Sequence, residues 1–170
     1  MPPNSTPPHN PPSAPKKKLT KEEEEKALQN LQTLLNHPTV SATAATDGSY
    51  TACATYLTTL LTSIPPLAVH TLPESPPNAP VVVAKWVGTD PTLPILLLNS
   101  HYDVVPAPAE DWSVPPFDGL LRDGFVYGRG VQDMKSVCVQ YVAAVRALAR
   151  RGDWTPRRTI YMTFVPDEEV

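Results

Sequence analysis

Apolar residues recur at the spacing of an α-helix in three stretches of the chain. Before the first stretch, Thr20 and Glu23 form a capping-box pattern, which satisfies free backbone donors at a helix start. The second stretch ends at Pro65-Pro66, because proline cannot continue a helix, and the third ends before Gly152. The spacing predicts helices over about residues 20–35, 48–64 and 134–150.

Short apolar runs between these helices predict strands. They span residues 67–72, 81–86, 95–99 and 159–165 and are separated by turn-rich segments. The run Ile95-Leu96-Leu97-Leu98 is apolar at every position, as expected for a strand covered by helices on both faces. The order of helices and strands predicts an α/β fold, with a mixed sheet and helices on both faces.

The first 18 residues differ in composition from the rest of the chain. They are rich in proline, serine and asparagine, contain almost no apolar residues, and end in Lys16-Lys17-Lys18. We predict a disordered tail over residues 1–18 and a structured unit over residues 19–170. The lysine run fits a solvated tail, with a localisation signal as the alternative.

The composition of the chain argues against several classes of function. The 170 residues include 14 basic and 17 acidic side chains, a net charge of -3, and no basic stripe, so a nucleic-acid partner is not expected. The apolar runs are too short to cross a membrane, and residues 1–18 lack the apolar core of a secretory signal. Cys53 and Cys138 lie in apolar contexts typical of reduced core residues, so we expect a cytoplasmic protein.

Three clusters of histidine or acidic residues lie where a predicted strand ends or a predicted helix begins. In open α/β sheets, ligands bind in the crevice at the carboxyl ends of the strands. We therefore expect the three clusters to share one crevice. The clusters are His101 with Asp103, Asp133, and the run Asp167-Glu168-Glu169.

Together these residues provide the types of side chain that bind metal ions. An imidazole and several carboxylates suit zinc, and a shared carboxylate can bridge two ions. Asp103 could hold the imidazole nitrogen of His101 that faces away from the metal. Of two adjacent glutamates, one could bind metal while the other accepts a proton. Taken singly, each cluster also fits a structural role, as an ordinary His-X-Asp, a helix-start aspartate or a solvated acidic turn.

The segment from Leu97 to Pro106, LLNSHYDVVP, closely resembles the first metal motif of the type-one aminoacylases. These are N-acyl-L-amino-acid amidohydrolases of the co-catalytic dizinc peptidase family, which also contains acetylornithine deacetylase and carnosinase. The likeness covers about residues 20–170 and is dense from Ile95 onward. Further matching segments follow in order: Asp111-Trp112-Ser113, Pro116-Phe117, Tyr127-Gly128-Arg129-Gly130, Gln132-Asp133-Met134-Lys135, and Thr159 to Val170.

The resemblance implies a role for each candidate residue. His101 would bind one zinc ion, Asp133 would bridge two, and Glu169 would bind the other. Glu168 would be the general base, and Asp103 would support His101. The implied fold is a zinc-exopeptidase-like (phosphorylase/hydrolase-like) catalytic domain. The implied reaction is hydrolysis of N-acyl-L-amino acids to a carboxylate and a free L-amino acid by zinc-activated water.

The resemblance also implies parts that these 170 residues do not contain. The family has a further acidic ligand and a histidine ligand downstream, whereas this sequence has no histidine after His101. The family's inserted dimerisation domain is absent as well. We therefore expect residues 19–170 to be the N-terminal part of a dizinc catalytic domain, inactive by itself, whose parent enzyme is a homodimer.

Two other interpretations remain open. The chain could be a non-catalytic fragment or a partner subunit of a full-length enzyme. It could also derive from a dipeptidase or carboxypeptidase of the same dizinc family, because the contacts that select the acyl group and side chain lie largely outside it. The expected partner under the main interpretation is a small N-acylated amino acid, with no nucleic acid and no membrane.

Overall fold

A computed structural model of the chain describes residues 18–72 and 75–170. The tail predicted over residues 1–18 therefore lies outside the described residues, apart from Lys18. A 3₁₀ turn covers Ala109–Asp111, and a π-type turn covers Val131–Lys135. The helices are α1 (Lys21–Leu35), α2 (Ala44–Asp47), α3 (Ser49–Thr62) and α4 (Ser136–Ala149), and the strands are β1 (Ala68–Thr71), β2 (Val82–Trp86), β3 (Leu96–His101), β4 (Leu120–Arg122), β5 (Phe125–Tyr127) and β6 (Ile160–Val165).

Four strands form a mixed sheet in the order β1-β2-β6-β3. β2 pairs antiparallel with both β1 and β6, whereas β3 runs parallel to β6. The parallel register sets His101 opposite Val165, so both strands deliver their C-terminal ends to one edge. β4 and β5 form a separate antiparallel hairpin. The predicted α/β class and mixed sheet are confirmed.

Helix α1 begins where the capping-box pattern predicts. The Thr20 hydroxyl accepts the Glu23 amide at 3.2 Å, and the Glu23 carboxylate accepts the Thr20 amide at 2.8 Å. Both contacts satisfy backbone donors that a helix start leaves free. Among the described residues, no helix combines the length and apolarity that crossing a membrane requires.

Helices α3 and α4 pack into one core with a single face of the sheet. Buried and half-buried residues alternate along β2 and β6, which is the pattern of strands with one well-covered face. Both predicted core cysteines, Cys53 on α3 and Cys138 on α4, are buried there. The side chains that the sheet contributes are Val82, Ala84, Trp86, Ile160, Met162 and Phe164.

The opposite face of the sheet has less cover than the sequence predicts. Leu97, which is paired with Tyr161 on this face, is 54% exposed although it lies in the fully apolar run. Lys85 extends over the ring of Tyr161 on this face, with its ammonium 5.5 Å from the ring centroid. Within the described part of the chain, helix cover is therefore found on one face, and the apolar run of β3 is partly open to solvent.

A turn between Gly130 and Lys135 replaces the start that the spacing predicts for the third helix. Asp133 and Met134 have non-helical backbones joined by a cis peptide bond, and α4 begins only at Ser136. Gly130 has a positive φ of 85°, and a Cβ there would lie 2.6 Å from Val104 Cγ1. Only glycine therefore fits this position. Because of the turn, Asp133 lies before helix α4 and not within it.

The side chain of Lys135 is fully buried and caps helix α1 from a distance. Its ammonium donates to the carbonyl of Leu34 at 3.1 Å and to that of His37 at 2.7 Å. Carbonyls at a helix C-terminus lack partners within the helix, and burial lowers the pKa of Lys135 to about 8. Lys135 thus ties the end of α1 to the turn that carries Asp133.

Replacement of Lys135 by methionine, Lys135→Met, should lower the free energy of unfolding by about 1.5–3 kcal/mol, because buried carbonyls lose a charged donor. Urea denaturation measures the change. Lys26→Met makes the same chemical change at an exposed position of α1 and should stay within about 0.5 kcal/mol of wild type. Equal stabilities of the two variants would show that the buried contacts contribute nothing.

Candidate metal centre

Three segments bring the predicted residues together at the carboxyl edge of β3 and β6. His101 ends β3, Asp133 lies on the turn before α4, and the acidic run follows β6. His101 Nε2 lies 3.1 Å from Asp133 Oδ1 and 3.7 Å from Glu168 Oε2. One ligand atom from each of His101, Glu168 and Glu169 lies within 4.8 Å of the others. The three clusters therefore converge at one edge of the sheet, as predicted.

Asp103 lies beneath this cluster and contacts two of its members. Its carboxylate Oδ1 and its backbone carbonyl each lie 3.2 Å from His101 Nδ1. Its other carboxylate oxygen accepts the backbone amide of Glu169 at 2.8 Å. A proton on Nδ1 pointing at Asp103 leaves Nε2 as the free acceptor, which is the tautomer that a metal-binding imidazole needs.

The site has a buried floor and solvent-exposed walls. The side chain of His101 is 5% exposed and that of Asp103 is fully buried. The side chains of Asp133 and Glu168 are 74% and 59% exposed. The imidazole is therefore fixed by packing, while the carboxylates that face it remain open to a ligand from solvent.

Negative charge accumulates around the single imidazole. The pKa of Glu169 is raised, first by partial burial and then by repulsion from Asp133, with Glu168 and Asp103 adding to it. His101 offsets only part of this effect. A divalent cation would relieve the repulsion, and a nitrogen ligand with several carboxylate oxygens suits zinc. The residues present thus fit a metal ion.

Two contacts to the acidic run come from residues that the sequence did not single out. The hydroxyl of Tyr50 donates to Asp167 Oδ1 at 2.7 Å, and that of Ser41 donates to the Glu169 carbonyl at 3.0 Å. Neither residue lies in a recognisable motif, and Tyr50 has the helical spacing of an ordinary core residue on α3. Only the packing of the helices against the sheet reveals these contacts.

Part of the chain is similar to known proteins. Residues 97–170 match the model of Peptidase family M20/M25/M40, and this stretch includes every predicted site residue. The solved structure of human carnosine dipeptidase 1 matches with a TM-score of 0.73 at 22% identity, over 85% of this chain and 32% of that chain. At this identity the structural match shows the fold alone.

The sequence is also similar to aminoacylase-1. Identity to aminoacylase-1 of Sus scrofa is 57% over 98 residues, which are 57% of this chain and 24% of that protein. Identity to the Homo sapiens protein is 54% over 98 residues, with the same shares covered. The resemblance to the type-one aminoacylases is confirmed. The chain spans about a quarter of the length of these relatives.

The raised pKa of Glu169 predicts how the stability of the metal-free protein changes with pH. When the pKa of a carboxyl group is higher in the folded state than its unfolded value of 4.5, the protonated group favours folding at pH values below 4.5. This contribution to stability is lost as the pH rises through the folded pKa. Glu169→Gln should therefore raise the melting temperature in EDTA at pH 7.5, and the difference should vanish towards pH 4.

The exposed Glu110 provides the control for this measurement. Glu110→Gln removes the same charge on the 3₁₀ turn and should leave the melting temperature unchanged at both pH values. A Glu169→Gln protein that is less stable than wild type at pH 7.5 would show that the carboxylates do not repel one another.

Proposed function

We propose that this chain supplies metal-binding and proton-transfer residues of a zinc-dependent hydrolase that cleaves N-acyl-L-amino acids to a carboxylate and a free L-amino acid. The observation that carries the proposal is the convergence of one buried imidazole nitrogen with carboxylate oxygens from Glu168 and Glu169 within 4.8 Å. The similarity to aminoacylase-1 over 98 residues supports the substrate class.

The proposed ligands follow from position and exposure. His101 would bind metal through Nε2, Glu169 through its carboxylate, and Asp133 would be shared between two ions. The Asp133 carboxylate lies 3.1 Å from His101 Nε2, and its largely exposed side chain leaves its remaining lone pairs free to bind metal. When bound, zinc lowers the pKa of a coordinated water and polarises a carbonyl.

Glu168 is the residue proposed to move the proton. Its carboxylate faces His101 Nε2 at 3.7 Å, and its side chain is 59% exposed, so it can reach a water or an amide nitrogen at the mouth of the site. It would accept a proton from the attacking water and deliver it to the leaving amine. Asp103 would hold His101 in the required tautomer throughout, from its buried position below.

The complete enzyme is proposed to bind two zinc ions per site and to act as a homodimer, as the resemblance implies. Dipeptide hydrolysis is the second candidate activity, because a dipeptidase shares the fold. The 57% identity to an aminoacylase favours the acylated amino acid, since the dipeptidase match at 22% identity carries no information on substrate.

Zinc titration of the chain by calorimetry tests the ligand assignment. His101→Gln and Glu169→Gln should each weaken zinc binding by at least roughly 100-fold, because each removes a direct ligand. Glu168→Gln should change the affinity by less than about 3-fold if Glu168 is the base and not a ligand.

His70→Gln serves as the control, because His70 lies exposed on β1 away from the site. Its zinc affinity should equal that of wild type. The ligand assignment would be wrong if Glu168→Gln weakened binding as strongly as Glu169→Gln. The metal site itself would be refuted by a wild-type chain that binds zinc no better than His101→Gln.

A chimera tests the reaction. The 98-residue stretch of this chain that aligns with Sus scrofa aminoacylase-1 replaces its counterpart in that protein. The chimera should hydrolyse N-acetyl-L-methionine, and Glu168→Gln within it should lower kcat by roughly 10²–10⁴ without loss of bound zinc. A folded, zinc-loaded chimera without this activity, or one that prefers dipeptides, would contradict the proposal.

A further inference from the structure

The acidic run after β6 is held by three contacts from other parts of the chain. Asp103 accepts the amide of Glu169 at 2.8 Å, and Ser41 donates to its carbonyl at 3.0 Å. The hydroxyl of Tyr50 donates to the carboxylate of Asp167 at 2.7 Å. Tyr50 and Ser41 both precede residues 97–170, the stretch that carries the family pattern.

The backbone of Asp167 shows why this run needs a tether. Its φ is 58°, in the left-handed region that residues other than glycine rarely adopt. Such a conformation costs roughly 1–2 kcal/mol and persists where surrounding contacts impose it. The chain bends on both sides of Asp167, at Pro166 and at Glu168. The hydroxyl of Tyr50 hydrogen-bonds to the side chain of Asp167 and can hold it in this conformation.

Tyr50 is a rigid anchor for that contact. It is fully buried on α3, and its ring packs edge-on against Tyr102, with centroids 5.5 Å apart and an interplanar angle of 90°. Burial, followed by the bond to Asp167, raises the pKa of Tyr50 well above its usual range. The hydroxyl is therefore the donor to the Asp167 carboxylate at neutral pH.

We infer that Tyr50 is a positioning residue for the proposed metal site, acting through Asp167 to set the direction in which Glu168 and Glu169 leave β6. Among the described residues, Tyr50 makes no hydrogen bond to a proposed ligand, so its effect would pass through Asp167. Ser41 assists by holding the Glu169 carbonyl. This inference rests on the proposed function for its consequence but not for its geometry.

Tyr50→Phe tests the inference in the full 170-residue chain, because it removes the hydroxyl and keeps the buried ring. Tyr56→Phe is the matched control on the same helix, where the hydroxyl contacts Asn30 at 3.4 Å, away from the site. Tyr50→Phe should weaken zinc binding by about 10-fold, the lower end of the effect of removing direct partners of metal ligands, because Tyr50 acts one residue further away. Tyr56→Phe should leave the affinity unchanged.

Hydrogen–deuterium exchange of metal-free protein gives a second readout that does not depend on zinc. Tyr50→Phe should speed exchange in peptides covering residues 164–170, where the Glu169 amide is protected by Asp103. Exchange in α1 and α4 should not change. A general loss of packing would speed exchange throughout the core and would overturn the inference.

A double-mutant cycle with Asp167→Ala isolates the contact. If Tyr50 acts through Asp167, the double variant should bind zinc no more weakly than Asp167→Ala alone. Additive losses would overturn the inference, as would wild-type affinity and exchange in Tyr50→Phe. If wild type binds no zinc, the proposed function fails, whereas exchange at residues 164–170 still decides whether Tyr50 positions the run.

Discussion

The parallel pairing of β3 with β6 is the interaction on which the site depends. Its register sets His101 opposite Val165, so the histidine and the acidic run leave the sheet side by side. A shift of one residue would turn His101 to the other face of the sheet, because side chains alternate along a strand. Ser100, which is buried on β3 opposite Phe164, would leave the core in that shift. A shift of β6 would instead move Met162 and Phe164 out of the core. The register of β3 and β6 therefore determines both the packing of the core and the geometry of the site.

Local chemistry in the sequence explains the elements that could be predicted. The capping box of Thr20 and Glu23, the proline pair after α3 and the apolar runs each act over a few residues, so their consequences are visible without the fold. The convergence of His101 with the acidic run was also predictable, because the carboxyl ends of parallel strands meet at one edge. The resemblance then implied roles that spacing alone left open, and these roles stay predictions.

The features that escaped prediction all depend on contacts between distant segments. The turn at Asp133 requires Gly130 against Val104 and the ammonium of Lys135 against the end of α1, so its helical spacing was misleading. Strand β4 is only three residues long and forms through pairing with β5. The partial exposure of Leu97 is set by which face the helices cover, which an all-apolar run does not specify.

The contrast between the buried His101 and the exposed Asp133 and Glu168 would affect the rates at which a metal ion binds and leaves. A cation arriving from water would meet the carboxylates first, since their field extends beyond the surface and speeds encounter. The imidazole would be reached last, after the ion has shed water. Capture would then be governed by charge and sensitive to salt, whereas retention would be governed by a nitrogen held still by the core. The two halves of the site would control separate steps of metal exchange.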